Sequence, residues 1–78
     1  MHHVSLSWNA STTPGSQYYI YRRTLFVPTF TKLNSAPLTG ATYTDTTVTA
    51  GHIYIYEVTA EVNGIESKPS NQVFSFIE

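Results

Sequence analysis

Seventy-eight residues are enough for one domain and too few for two. The four basic residues, Arg22, Arg23, Lys32 and Lys68, stand against five acidic ones and leave a net charge of −1, so no basic stripe can follow a phosphate backbone and nucleic acid is a poor partner. The absence of cysteine removes disulfides, thiolate metal sites and a cysteine nucleophile, and no apolar run approaches the ~20 residues of a membrane span, so no membrane partner is expected.

Six tyrosines, four phenylalanines and one tryptophan give the chain enough apolar mass for a packed core. Charged residues make up 12%, about half the usual share, so disorder is not expected. The chain opens on Met1-His2-His3 without a signal peptide and reads as an excised module or mature fragment, with the histidines either native or tag-derived. Val4-Ser5-Leu6-Ser7-Trp8 alternates apolar and polar side chains, the period of a half-buried strand. Residues 9–16 collect Asn, Ser, Thr, Pro and Gly and form a loop. Strands are expected over 17–23, 29–33 and 41–45, with a turn over 34–40 that carries Pro37.

The clearest pattern runs over 52–62. Tyr54, Tyr56, Val58 and Ala60 fall on one face, and Ile53, Ile55, Glu57, Thr59 and Glu61 on the other. Asn63-Gly64 follows, a dipeptide that tolerates the positive φ angles of a two-residue hairpin turn. After Pro69, residues 73–77 supply the last strand. No helical pattern exists, and short strands between turn signals indicate a sandwich or barrel.

These segments resemble the fibronectin type III family, particularly its bacterial extracellular modules, over essentially the whole chain. Val4 to Trp8 looks like the family's second strand with its core tryptophan, and Tyr18-Tyr19-Ile20-Tyr21-Arg22 like its third. Thr31-Lys32-Leu33-Asn34 and Ala41-Thr42-Tyr43-Thr44-Asp45 match the middle strands. Val48-Thr49-Ala50-Gly51-His52-Ile53-Tyr54 fits the corner segment, which implies that the Tyr54 hydroxyl bonds backbone a few residues upstream. Glu66-Ser67-Lys68-Pro69-Ser70-Asn71 matches the approach to the last strand. The resemblance implies an all-β, immunoglobulin-like Greek-key sandwich of six to seven antiparallel strands over 1–78, outside the cell. The expected inward positions are Val4, Leu6, Trp8, Tyr18, Ile20, Leu33, Tyr43, Val48, Tyr54, Tyr56, Val58, Ala60 and Val73, centred on the Trp8 indole.

Three departures from the family bear on function. Its opening strand has no counterpart before Val4, so the strand holding Trp8 is expected to be a bare edge, covered by a neighbouring domain or a second copy of the chain. Leu25, Phe26 and Val27 place large apolar side chains at a hairpin tip that is usually rich in Gly, Ser or Thr. Phe74 and Phe76 alternate with Val73; if Val73 faces the core they join Tyr19, Tyr21 and Ile55 in an outward aromatic patch, whereas a one-residue bulge near Pro69 turns them inward.

Little in the sequence points to chemistry. Asp45, His52 and a serine can be imagined as a triad, but no nucleophile motif surrounds any serine. Glu57, Glu61 and Glu66 read as solubilising charges, the first two paired with Arg23 or Lys32, and no cofactor or metal site is expected. Asn9-Ala10-Ser11 is a glycosylation sequon in a loop. The loops 9–16, 36–40 and 62–68 sit where similar modules present recognition loops, but their Ser, Thr, Asn and Gly read as plain connections, without the Tyr and Trp of an engineered display scaffold. The leading expectation is a non-catalytic interaction or spacer module of a larger extracellular protein, self-associating through the Val4–Trp8 edge or the aromatic face. The alternative is a carbohydrate-associated module whose aromatics stack on sugar rings.

Overall fold

Alternating polarity becomes seven strands in the computed structural model, which describes residues 2–11, 13–67, 69 and 72–78. The loop positions Thr12 and Lys68 and the motif residues Ser70 and Asn71 lie outside the described residues, as does Met1. The strands are β1 (Val4–Ser7), β2 (Gln17–Thr24), β3 (Thr31–Lys32), β4 (Thr42–Asp45), β5 (Ile53–Val62), β6 (Ile65–Glu66) and β7 (Val73–Phe76). β1 and β4 form a two-stranded sheet; the larger sheet runs β3-β2-β5, with β6 and β7 both pairing the far side of β5. Every pairing is antiparallel. The chain is an all-β sandwich.

Residue chemistry explains the local outcomes. Asn63 and Gly64 take φ of 54° and 83°, so the turn folds β6 directly back on β5 with Val62 opposite Ile65. The strand expected over 29–33 is confined to Thr31–Lys32, and past Leu33 the Asn34 side chain takes over the ladder. Its Oδ1 accepts the Ile20 N–H at 2.8 Å, and its Nδ2 donates to the Tyr18 carbonyl at 3.0 Å. Tyr54 forms the anticipated corner: its hydroxyl accepts the Thr49 N–H at 2.9 Å.

The core lies between the sheets and holds Val4, Ile20, Val48, Tyr54, Tyr56 and Ile77, with Leu6, Trp8, Leu33, Leu38, Tyr43 and Val58 packed partly buried against it. The structure moves its centre away from Trp8. Ile20 at 0% and Tyr56 at 1% exposure occupy the middle, while Trp8 is only partly buried and meets Tyr18 edge-on at 5.4 Å. Val73 pairs with Tyr56 and so faces inward, yet it is 47% exposed because the space in front of it is open; Ile77 fills the core in its place.

A polar tie crosses the apolar layer. Asp45 at the end of β4 is 1% exposed, and its Oδ2 accepts from Arg22 Nη1 of β2 at 2.8 Å and from the Tyr56 hydroxyl of β5 at 2.7 Å. Its Oδ1 takes the Thr47 N–H at 3.0 Å and the Thr47 hydroxyl at 2.6 Å. Burial by itself raises a carboxyl pKa, but the bonds from Thr47, Tyr56 and Arg22 outweigh it and bring Asp45 from 3.8 down to about 2. Burial and the carboxylate push the Tyr56 hydroxyl up.

Replacing Ile20 by Ala is expected to cost about 2–5 kcal/mol, more than Trp8→Ala, because only Ile20 leaves an enclosed cavity; paired urea unfolding curves decide the order. The depressed Asp45 pKa stabilises the fold in full above pH 3.8, and this contribution, on the order of 2 kcal/mol, is lost as pH falls through about 2. Unfolding midpoints measured from pH 5 down to pH 2 are therefore expected to fall much less steeply in Asp45→Asn, a variant already weaker at pH 7.

Candidate functional site

The outward face of the larger sheet carries most of the residues singled out as candidates. Along β2 and β5 the register sets Tyr19 beside Thr59, Tyr21 beside Glu57 and Arg23 beside Ile55; along β5 and β7 it sets Ile55 beside Phe74 and Ile53 beside Phe76. Both phenylalanines point out of the sandwich. Between the Glu61–Glu66 and Tyr56–Val73 pairs β5 advances five residues and its partner seven. The excess is even, so the alternation of faces carries through instead of reversing as a one-residue bulge would make it.

The face is divided in two. At one end a polar cluster surrounds Glu66, whose Oε2 accepts from the Tyr21 hydroxyl at 2.6 Å and from Thr59 Oγ1 at 2.8 Å. Lys32 Nζ lies 3.3 Å from Glu66 Oε1, and the same ammonium sits 3.8 Å over the Tyr19 ring and 5.6 Å from that of Tyr21. Tyr21 and Thr59, with help from Lys32, lower the Glu66 pKa, while burial and Glu66 raise that of Tyr21. Lys32 thus pairs with Glu66, not with Glu57 or Glu61. Gln72 Nε2 donates to Glu57 at 3.0 Å, and Glu61 accepts the Gly64 N–H of its own turn.

At the other end the surface is apolar. Leu25 donates its N–H to the Ile53 carbonyl at 2.9 Å, and Ile53 pairs with Phe76, so the β2–β3 turn stands at the same end of the sheet as the two phenylalanines. Val27 N–H closes that turn on the Thr24 carbonyl at 2.9 Å. Arg23 holds it from outside, donating to the Leu25 carbonyl at 2.9 Å and lying 5.5 Å over the Phe30 ring. Phe26 is 92% exposed at the tip, with Val27, Phe74 and Phe76 exposed beside or near it.

Two candidates change standing. Ile55 is fully buried between Arg23 and Phe74, so it supports this face without presenting itself, and Leu25 is half-buried. The continuous aromatic patch expected from Tyr19 to Phe76 is therefore interrupted by Lys32 at the tyrosines and by burial at Ile55. Arg23, which alternation sets on the face of Tyr19 and Tyr21 and which was expected to pair with Glu57 or Glu61, donates instead to the Leu25 carbonyl; its adjacency to a Leu-Phe-Val-Pro turn is the signal that could have found this role.

Elsewhere, Asp45 has both oxygens engaged in the inter-sheet tie, and His52 is exposed with its ring 5.9 Å from that of Tyr54. Among the described residues no group of His, Cys, Asp or Glu is placed to hold a metal ion, and no helix is long and apolar enough to cross a membrane. Asn9 of the sequon is exposed.

No family model matches the chain. Over 74 residues, 94% of its length, it is 45% identical to a segment of the amylopullulanase of Thermoanaerobacter thermohydrosulfuricus. The chain spans 5% of that protein. It is similar to one small part of a much larger enzyme.

If Arg23 fixes the apolar turn, Arg23→Ala is expected to speed hydrogen exchange at the Val27 amide by roughly tenfold while changing global stability by less than about 1 kcal/mol. Residue-resolved exchange beside a urea melt reads both quantities.

Proposed function

We propose that the chain is a non-catalytic accessory module of the fibronectin type III kind, carried in a larger extracellular, carbohydrate-active protein, which docks against a neighbouring domain through Phe26, Val27, Phe74 and Phe76. The observation that carries this reading is the 45% identity that covers nearly all of this chain and 5% of a large enzyme. A module that repeats so small a part of an enzyme is better suited to spacing or docking than to the reaction. The strand pairings and the Tyr54–Thr49 corner bond support the family assignment. Engagement of Asp45 by Arg22, Tyr56 and Thr47 supports a structural and not a catalytic role for that carboxylate.

The exposed aromatic rings supply the docking chemistry. Phe74 and Phe76 stand on a paired strand and Phe26 and Val27 on a hydrogen-bonded turn, and apolar side chains on an ordered backbone lose little entropy when a partner covers them. Sugar stacking on Tyr19 and Tyr21 is the competing use, prompted by the amylopullulanase likeness. It is disfavoured by the Lys32 ammonium over those rings.

The test joins two measurements on the 78-residue chain. An apolar fluorescent dye is expected to bind the parent and not the Phe74→Ser/Phe76→Ser variant, with unfolding free energies equal within about 0.5 kcal/mol. Native gels containing pullulan or amylopectin are expected to leave the chain unretarded, with no release of reducing sugar. Retardation that disappears on Tyr21→Ala would replace the docking reading by the carbohydrate one.

A further inference from the structure

The turn between β5 and β6 is the one place among the described residues where a residue other than glycine takes a positive φ. That residue, Asn63, precedes a glycine, and both are exposed to water. None of the other three asparagines is followed by glycine. Asparagine is chemically labile, and glycine puts no side chain over its own nitrogen, so the Gly64 nitrogen is the least hindered neighbour an asparagine here can have. The Asn63 amide has no hydrogen-bond partner among the described residues. That of Asn34, by contrast, is held by Ile20, Tyr18 and Ala36. Two restraints keep the Gly64 nitrogen from the Asn63 side chain. At φ 54° Asn63 lies in the left-handed region, where ψ is also positive and the Gly64 nitrogen stands anti to the Asn63 Cβ about the Cα–C bond. The Gly64 N–H also donates to Glu61 Oε1. A carboxylate there keeps the proton on that nitrogen, because its loss would set two negative charges side by side.

We propose that Asn63 is a site of spontaneous covalent modification, and that Glu61 sets its rate by holding the turn closed. When the turn opens locally, the Gly64 nitrogen gives its proton to solvent base and attacks Cγ of the Asn63 side chain. The new C–N bond closes a cyclic imide, and the side-chain nitrogen takes a proton from solvent and leaves as ammonia. Water then adds to either imide carbonyl and breaks one of the two C–N bonds. The products are an aspartate joined to Gly64 through its α-carbonyl and one joined through its β-carbonyl. Nothing is oxidised or reduced, and water is the only co-reactant. Either product adds one negative charge to the −1 of the chain and sets it two residues from Glu61. The β-linked product also lengthens the main chain by a methylene. A two-residue turn has no slack for it, so Val62 loses its place opposite Ile65. Glu66, next in the chain, is then drawn from Tyr21, Thr59 and Lys32. The modification thus dissolves the polar cluster of the outer face. Phe74 and Phe76, paired to β5 at Ile55 and Ile53, keep their places.

Ageing the folded 78-residue chain in mildly alkaline buffer tests this, with peptide mapping by mass spectrometry that separates the two aspartyl linkages. Conversion is expected at Asn63 ahead of every other asparagine, with both linkages present. Hydrogen exchange at the Ser67 amide, which donates to the Ala60 carbonyl at 2.7 Å, is expected to speed in the β-linked product. Glu61→Ala is expected to raise the conversion rate roughly tenfold. Glu61→Gln keeps an oxygen acceptor without the charge and is expected to raise it about threefold. Glu57→Ala removes a carboxylate that bonds Gln72 and not the turn, and is expected to leave the rate unchanged. Urea melts establish that each variant is folded; should Glu61→Ala fail to fold, Glu61→Gln against the parent decides. Conversion at Asn63 no faster than at Asn9 overturns the modification site. Equal rates in the parent and the Glu61 variants, or an equal acceleration by Glu57→Ala, overturn the role of Glu61.

Discussion

A carboxylate kept charged out of water joins the two sheets. A two-stranded ribbon such as β1–β4 is marginal by itself and persists because something fastens it to a larger layer. Apolar contact is non-directional and gives burial without fixing how one sheet sits on the other. Asp45 adds direction, because its oxygens need donors at set positions and find them on β2, on β5 and in the Thr47 backbone just after β4. Removing any one donor leaves a buried charge less than satisfied, so the network acts as a unit.

The tie reaches further through its partners. The Arg22 guanidinium that meets Asp45 also lies 5.0 Å over the ring of Tyr54, and the Tyr54 hydroxyl holds the backbone at Thr49. Tyr56 fills the middle of the core with its ring and offers its hydroxyl to the carboxylate. The Asp45 end of the sandwich is thus braced by polar bonds, while at the far end of β1 the partly buried Trp8 packs edge-on against Tyr18. The same division marks the outer face, where Glu66 gathers Tyr21, Thr59 and Lys32 and leaves the phenylalanines as its apolar end. Polar bonding and exposed apolar surface are thus separated in space.

Much of this was legible in the order of residues. Alternation alone separated Tyr54, Tyr56 and Val58 from Ile53, Ile55 and Glu57, because a strand turns successive side chains to opposite faces whatever lies around them. Asn63-Gly64 marked its turn through backbone sterics, which are equally local. The outward direction of Phe74 and Phe76 depended on the number of residues inserted near Pro69, and composition does not reveal whether that number is odd or even. Arg22 and Asp45 occupy inward positions by the same alternation, two residues after Ile20 and Tyr43, yet their polarity hid them until the sheets were seen to bring them together.

The sequence by itself determined where most strands run, the faces of β1, β2 and β5 and the absence of thiol chemistry, since these follow from side-chain period, turn sterics and composition. Tertiary structure decided which apolar residues are covered. Ile55 is hidden on the outward face and Val73 exposed on the inward one, because burial depends on what lies across a sheet and not on which way a side chain points. It also decided that charge, not the indole, ties the layers together: Asp45 and Arg22 are 23 residues apart and become partners only when β4 closes over β2.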